Sequence, residues 1–237
     1  MHSCNLKQFF GAYPRALTQL DPNGGNILHK IINPAPYRQA LCEVDLIKWI
    51  VERCPSSTLL ETDSDGRTPL YLACGLLFSE DNERDSSEIC KYLVQMCPSS
   101  VQMANRYDYL PIHGFQDSCG YWAVREVVVC LLREYPESYD IPQPYRNGQT
   151  LSSIPFIQSI KPLLDEEIEL NETATSLKES TSSLTKAVTC TNDDLMRSAF
   201  TVFDSWATSF INSTEEKLQL ISTQLQDLCD EGLEPDE

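Results

Sequence analysis

Asp63-Ser64-Asp65-Gly66-Arg67-Thr68-Pro69-Leu70-Tyr71-Leu72-Ala73-Cys74 puts a polar turn, a glycine, a helix start and an apolar helix into a dozen residues. Gly66 takes a positive φ without steric cost, so Asp65-Gly66 reads as a tight turn. Thr68 is a good N-cap, and Pro69 behind it sits at N1, where its missing N–H costs nothing. Leu70, Ala73 and Cys74 follow at helical spacing and make a short apolar face. One such unit cannot bury that face alone, so its value depends on copies.

Copies exist. Asp21-Pro22-Asn23-Gly24-Gly25-Asn26-Ile27-Leu28-His29 lies 42 residues upstream and sets Gly24 under Gly66 and Leu28 under Leu70. Asn105-Arg106-Tyr107-Asp108-Tyr109-Leu110-Pro111-Ile112-His113 lies 42 residues downstream and sets Pro111 under Pro69. A fourth, less complete copy is Tyr145-Arg146-Asn147-Gly148-Gln149-Thr150-Leu151. A second landmark keeps the same rhythm: Pro14, Pro55, Pro98 and Pro136 are 41, 43 and 38 residues apart. Each closes an apolar helical segment (Leu6/Phe9/Phe10, Leu46/Ile47/Trp49/Ile50, Ile89/Tyr92/Leu93, Val124/Val127/Val128/Leu131/Leu132). Proline cannot continue a helix and biases its predecessor away from helical geometry. The unit reads as turn, short first helix, connection, longer second helix, proline stop and outgoing loop.

That layout resembles the ankyrin repeat, whose signature follows a turn glycine with Thr-Pro-Leu-His. Gly66, Thr68, Pro69 and Leu70 match it, with Tyr71 in the histidine place; Pro111 and His113 match in the third unit, Gly24 and His29 in the first, and Gly148 in the fourth. The resemblance is fullest over 43–138, thinner over 1–42 and thinnest over 139–160. It implies an all-α helix-turn-helix solenoid in which His29 and His113 tie neighbouring turns by hydrogen bonds. The period departs from the family's roughly 33 residues. The excess falls between the two helices of each unit, in residues 32–38, 77–87 and 116–121, read as solvated insertions or as binding loops. Residues 6–13 read as a second helix without a first: an N-terminal cap, or the interior of a longer array.

The expected organisation is a repeat array over 1–160, with units near 1–20 (partial), 21–62, 63–104, 105–144 and 145–160. A Ser/Thr-rich acidic segment follows over 161–192, amphipathic helices over 193–231 and an acidic tail over 232–237. Pro155 and Pro162 read as the last proline punctuation before Pro235, and residues 163–231 contain neither glycine nor proline. Leu163, Leu170, Leu177 and Leu184 are spaced by seven, with Ile160, Ala174 and Val188 at the partner positions and Glu167 and Thr181 also on the seam. That is a heptad pattern about four repeats long, read as a coiled coil or as a helical linker. Leu195, Ala199, Val202, Phe203, Trp206 and Phe210 form one apolar stripe. Leu218, Ile221, Leu225 and Leu228 form a second, behind a capping pattern at Ser213-Thr214-Glu215-Glu216. The break near Asn212 predicts a hairpin or a kinked helix.

The net charge of −17 is concentrated in 161–237, which hold 17 acidic and 5 basic side chains. Such a surface repels phosphate backbones and anionic lipid, so neither nucleic acid nor membrane is an expected partner. The start of the chain has no basic-then-apolar leader, which predicts a cytoplasmic or nuclear protein that is not secreted. The ten cysteines contain no C-x-x-C pair and read as small buried hydrophobes. No phosphate loop, nucleophile elbow or paired carboxylates stand out, so no enzyme, no cofactor and no metal site are expected. The leading expectation is a non-catalytic scaffold or adaptor that binds a protein partner of unknown identity through turn tips and first-helix faces. Ser64, Asp65, Arg67, Arg106, Tyr107 and Tyr109 are the expected contact residues. The alternatives are self-association through the C-terminal helices, or a regulatory fragment of a larger multidomain protein.

Overall fold

The computed structural model describes residues 3–32, 43–75, 83–115, 122–143, 150–189 and 194–230. Every regular element among them is helical, and they fall into two compact units, 3–158 and 159–230.

In the first unit the α-helices are α1 (Ser3–Ala12), α2 (Ile27–Ile32), α3 (Val44–Val51), α4 (Pro69–Gly75), α5 (Glu83–Met96) and α6 (Trp122–Glu134). The short helices pack in one row, α2 on α4 and α4 on the 3-10 helix Pro111–Phe115. The longer ones pack in another, α1 on α3, α3 on α5 and α5 on α6. Leu28, Ile32, Leu70, Ala73 and Cys74 from the first row are buried, as are Leu46, Ile47, Ile50, Ile89, Leu93, Val124, Val127, Val128 and Leu131 from the second. Each large side chain buried this fully is worth about 1.5–3 kcal/mol. Ion pairs Lys48–Glu88 (2.6 Å) and Lys91–Glu126 (2.5 Å) bridge successive helices of the longer row. Exposed pairs of this kind add about 1 kcal/mol at most.

Pro14, Pro98 and Pro136 end α1, α5 and α6 as expected, while α3 already stops at Val51 ahead of Pro55; a 3-10 helix follows each proline in place of the outgoing loop: Pro14–Leu17, Ser56–Leu59, Pro98–Gln102 and Pro136–Asp140. Tyr13, Cys97 and Tyr135, the residues before three of these prolines, share one conformation, with φ of −126°, −150° and −146° and ψ of 68°, 77° and 75°. Proline drives that conformation by excluding its predecessor from the α region, while its own fixed φ starts the next turn. Ser100 and Ser138 then donate from Oγ to the carbonyls of Cys97 (2.6 Å) and Tyr135 (2.7 Å), closing the corner.

Two further features differ from expectation. Residues 83–87, read as part of a polar insertion, are the start of α5, with Ser86 and Ser87 buried. Serine is small enough to let a neighbouring helix close in, which a polarity count misses. Pro111 heads a 3-10 helix, not an α-helix: Leu110 before it has no side-chain acceptor to cap a longer one. Gly148, the insertion residues 33–38, 77–82 and 116–121, and the acidic tail 232–237 lie outside the described residues. Where a fourth unit was expected, Leu151–Ser153 forms a 3-10 helix, with Leu151 buried.

The second unit consists of α7 (Pro155–Thr189) from Ser159 onward and α8 (Asp194–Asp230). Its two helices are tied by a Lys178–Glu215 ion pair at 3.0 Å and jointly line a groove. Ala174 and Ala207 are buried, and so are Ile160, Ile221 and Leu225. The seam is thinly filled toward the connection, where Leu184 is 42% exposed. Of the two forms expected near Asn212, a hairpin is not seen: α8 continues through it as one helix. Thr214 is buried within α8 and donates from Oγ1 to the Phe210 carbonyl at 2.9 Å, so it serves the helix interior and does not cap a new one. Pro162, expected as punctuation, lies inside α7.

Candidate functional site

Three polar turns carry the residues expected to make contacts, and all three are built on one side-chain device. The Oδ1 of Asp21 accepts from the amides of Asn23 and Gly25, both at 2.8 Å. Asp63 Oδ1 accepts from Asp65 (2.9 Å) and Arg67 (3.0 Å), and Asn105 Oδ1 from Tyr107 (2.9 Å) and Tyr109 (3.1 Å). Gly24, Gly66 and Asp108 occupy the positive-φ place of each turn, at 75°, 73° and 62°. A short acceptor two residues before a turn's apex is what aspartate and asparagine supply best.

Neighbouring turns are joined through the backbone. The Ser64 amide donates to the Asn23 carbonyl at 2.7 Å, and one period later the Arg106 amide donates to the Asp65 carbonyl at 3.0 Å. Beneath these bonds His29 Nε2 donates to the Arg67 carbonyl at 2.8 Å, while Nδ1 lies 3.2 Å from the Asn26 amide and 2.7 Å from the Asn26 Oδ1. His113 repeats the local half, Nδ1 accepting from the Leu110 amide at 3.2 Å. The position matching Arg67 in the next unit, Gln149, is outside the described residues. Burial pushes both imidazoles down, His113 to about 4. Thr68 caps α4 by accepting at Oγ1 from the Tyr71 amide (3.2 Å), while Asn26 Oδ1 accepts from the Leu28 and His29 amides.

At the tips the structure gathers Asp65, Arg67, Arg106 and Tyr107. Asp65 pairs with Arg67 at 3.1 Å and with Arg106 at 2.8 Å; Arg67 also pairs with Asp63 at 2.8 Å. Burial opposes ionisation of Asp63, and the Arg67 guanidinium with the two turn amides outweighs it, holding the carboxyl below its ordinary value. The Arg106 guanidinium lies 4.6 Å from the Tyr107 ring centroid and donates to its hydroxyl. Tyr107 is 42% exposed and presents its ring at the tip. Tyr109 is half-buried, edge-on to His113 at 6.2 Å, so the structure separates two tyrosines that the sequence groups. Ser64 joins the tip through its backbone.

The chain matches no protein-family model, no curated protein and no solved structure. Among the described residues no three of histidine, cysteine, aspartate and glutamate gather to hold a metal, and no helix is long and apolar enough to cross a membrane. The turn-organising roles of Asp21, Asp63 and Asn105 escaped the sequence reading, although their 42-residue spacing was there to be seen. So did the meeting of Cys74, Cys90 and Cys130 in the core, where burial pushes the Cys74 thiol well up and the Cys130 thiol to about 11. Thiols so disposed are inert packing groups.

Proposed function

We propose that residues 1–160 form an ankyrin-like array of stacked helical units, a non-catalytic scaffold or adaptor that binds a protein partner through its turn tips and first-helix faces. The observation that carries the reading is the backbone ladder Asn23–Ser64, Asp65–Arg106, with the His29 cross-tie one level below. It holds successive turns in one line, and a line of rigid tips is a surface for recognition rather than reaction. Within it, Asp65, Arg67 and Arg106 already satisfy one another, so their role is to fix the tip shape. Tyr107 offers the contact area: tyrosine and arginine are among the residue types enriched at interface hot spots. The setting that fits this reading is the cytoplasm or nucleus.

A photo-crosslinking amino acid at position 107 tests the proposal against the same group at Met96, which is also exposed but lies at the end of α5 in the longer-helix row. Adducts with a defined protein from position 107 and not from 96 are expected. Equal labelling from both, or none from 107, overturns it.

A further inference from the structure

We propose that the α7–α8 hairpin is a docking groove for a basic amphipathic helix of a partner protein. The groove, about 450 Å³, is lined by Glu172, Thr173, Ser176, Leu177 and Ser180 on α7 and by Trp206 and Phe210 on α8. Phe203, Trp206 and Phe210 stack with ring centroids 5.8 Å apart, and the ring row lies open: Trp206 is 55% and Phe210 38% exposed, with Val202 beside them at 70%. The α7 lining, 172 to 180, spans about 12 Å at 1.5 Å per residue, the reach of two helical turns. A third helix laid there would meet Leu177, Val202, Trp206 and Phe210 with residues at i, i+3, i+4 and i+7.

Charge selects the occupant. Glu172 lines the groove, and Glu169 and Glu166, spaced by three before it, continue exposed along α7 beyond the groove's end. Lys178 is drawn to Glu215, and Lys217, exposed seven residues beyond Phe210 on the same face of α8, sets one cation against these three glutamates. Residues 161–237 carry a net charge of −12. A second copy would bring the same glutamates and the same excess to the same face, and an anionic bilayer would be repelled equally. A helix with lysine or arginine beside its apolar stripe meets both the floor and the rim.

The test uses the full chain and two model peptides of about five helical turns, one of leucine and lysine at amphipathic spacing and its leucine–glutamate twin. Binding is read by peptide anisotropy. The lysine peptide should bind, and binding should weaken at least about tenfold, the effect of losing one well-placed anchor, both in Trp206→Ser/Phe210→Ser and in Glu166→Gln/Glu169→Gln/Glu172→Gln. The glutamate peptide should not bind. The exposed positions of all five changes leave the fold intact, which circular dichroism checks. Lysine-peptide binding that survives loss of the two aromatics overturns the proposal as mere charge adsorption. It is equally overturned by no binding, by equal binding of the glutamate peptide, by a dimer in light scattering that the aromatic variant dissolves, or by vesicle co-sedimentation that it abolishes. None of these outcomes touches the turn-tip reading, which rests on other residues.

Discussion

Gly24, Gly66 and Asp108 hold the same left-handed place in three turns, yet they are not equally replaceable. A Cβ built on Gly66 would stand 2.7 Å from the Arg106 amide nitrogen, whereas at Gly24 the nearest atom is the Thr62 carbonyl oxygen at 3.5 Å. Gly66→Ala therefore adds a backbone clash to the positive-φ penalty and should cost about 2 kcal/mol or more, against about 1 kcal/mol for Gly24→Ala; urea denaturation ranks the two. Asp108 bears the φ penalty already, so Asp108→Gly should raise stability by about 0.5–1 kcal/mol in the same assay. His113 sets a pH dependence. Above its ordinary value of 6.5 both folded and unfolded chains hold it neutral; below, the unfolded chain takes up a proton that the buried ring refuses down to about 4. Stability should fall as pH drops through that interval, and His113→Gln should flatten the slope of the melting temperature against pH. At this scale the glycines and the Thr68-Pro69 cap were legible because their backbone demands exclude most other residues. Asp21, Asp63 and Asn105 were not, because an acceptor that serves its own turn looks in sequence like any polar loop residue.

Proline shows how far elements could be read. Its missing donor and fixed φ predicted where helices stop, and α1, α5 and α6 stop there. The 3-10 turn behind each stop was hidden, because the ring that forbids continuation also primes a new turn; Ser100 and Ser138 reinforce two of these corners, while Pro14–Leu17 forms one with Ala16 in their place. Pro162 breaks the rule from the other side: it sits exposed in the body of α7, where it denies Gln158 a hydrogen-bond donor. With no packing to lose, Pro162→Ala should stabilise α7 by about 2–3 kcal/mol, seen as slower amide exchange over the flanking turns. Of the heptad pattern on α7, Ile160 and Ala174 are buried, whereas Leu163, Leu170 and Leu177 are half-buried and Leu184 is 42% exposed, so the leucines themselves do not fill a seam. The unbroken course of α8 was not legible, since Thr214 reads as a cap until its hydroxyl is seen bonded back to Phe210.

For the molecule as a whole, the division between an alternating proline-and-glycine-punctuated portion and a breaker-free acidic portion was plain in composition and charge. Which side chains stay uncovered was not, because Phe203 and Trp206 belong to one stripe in sequence and differ only in how α7 passes them. The acidic excess has a global effect: at low salt, like charges repel within the folded state more than in the expanded chain. Raising ionic strength from about 0.01 M to 0.15 M, which shortens the screening length from about 30 Å to 8 Å, should therefore raise the melting temperature, and calorimetry at the two salts checks it.

The ladder of turns also sets the order of events in time. Ser64 reaches back to Asn23 and Arg106 to Asp65, each closing a loop of one period, and the helices of the first unit pack on their near neighbours along the chain. Neither rung waits for the two ends of this portion to meet. The entropy of closure is met in equal short steps, so structure nucleated at any one turn spreads to the next. A chain emerging gradually from a ribosome would settle each turn soon after its successor appears.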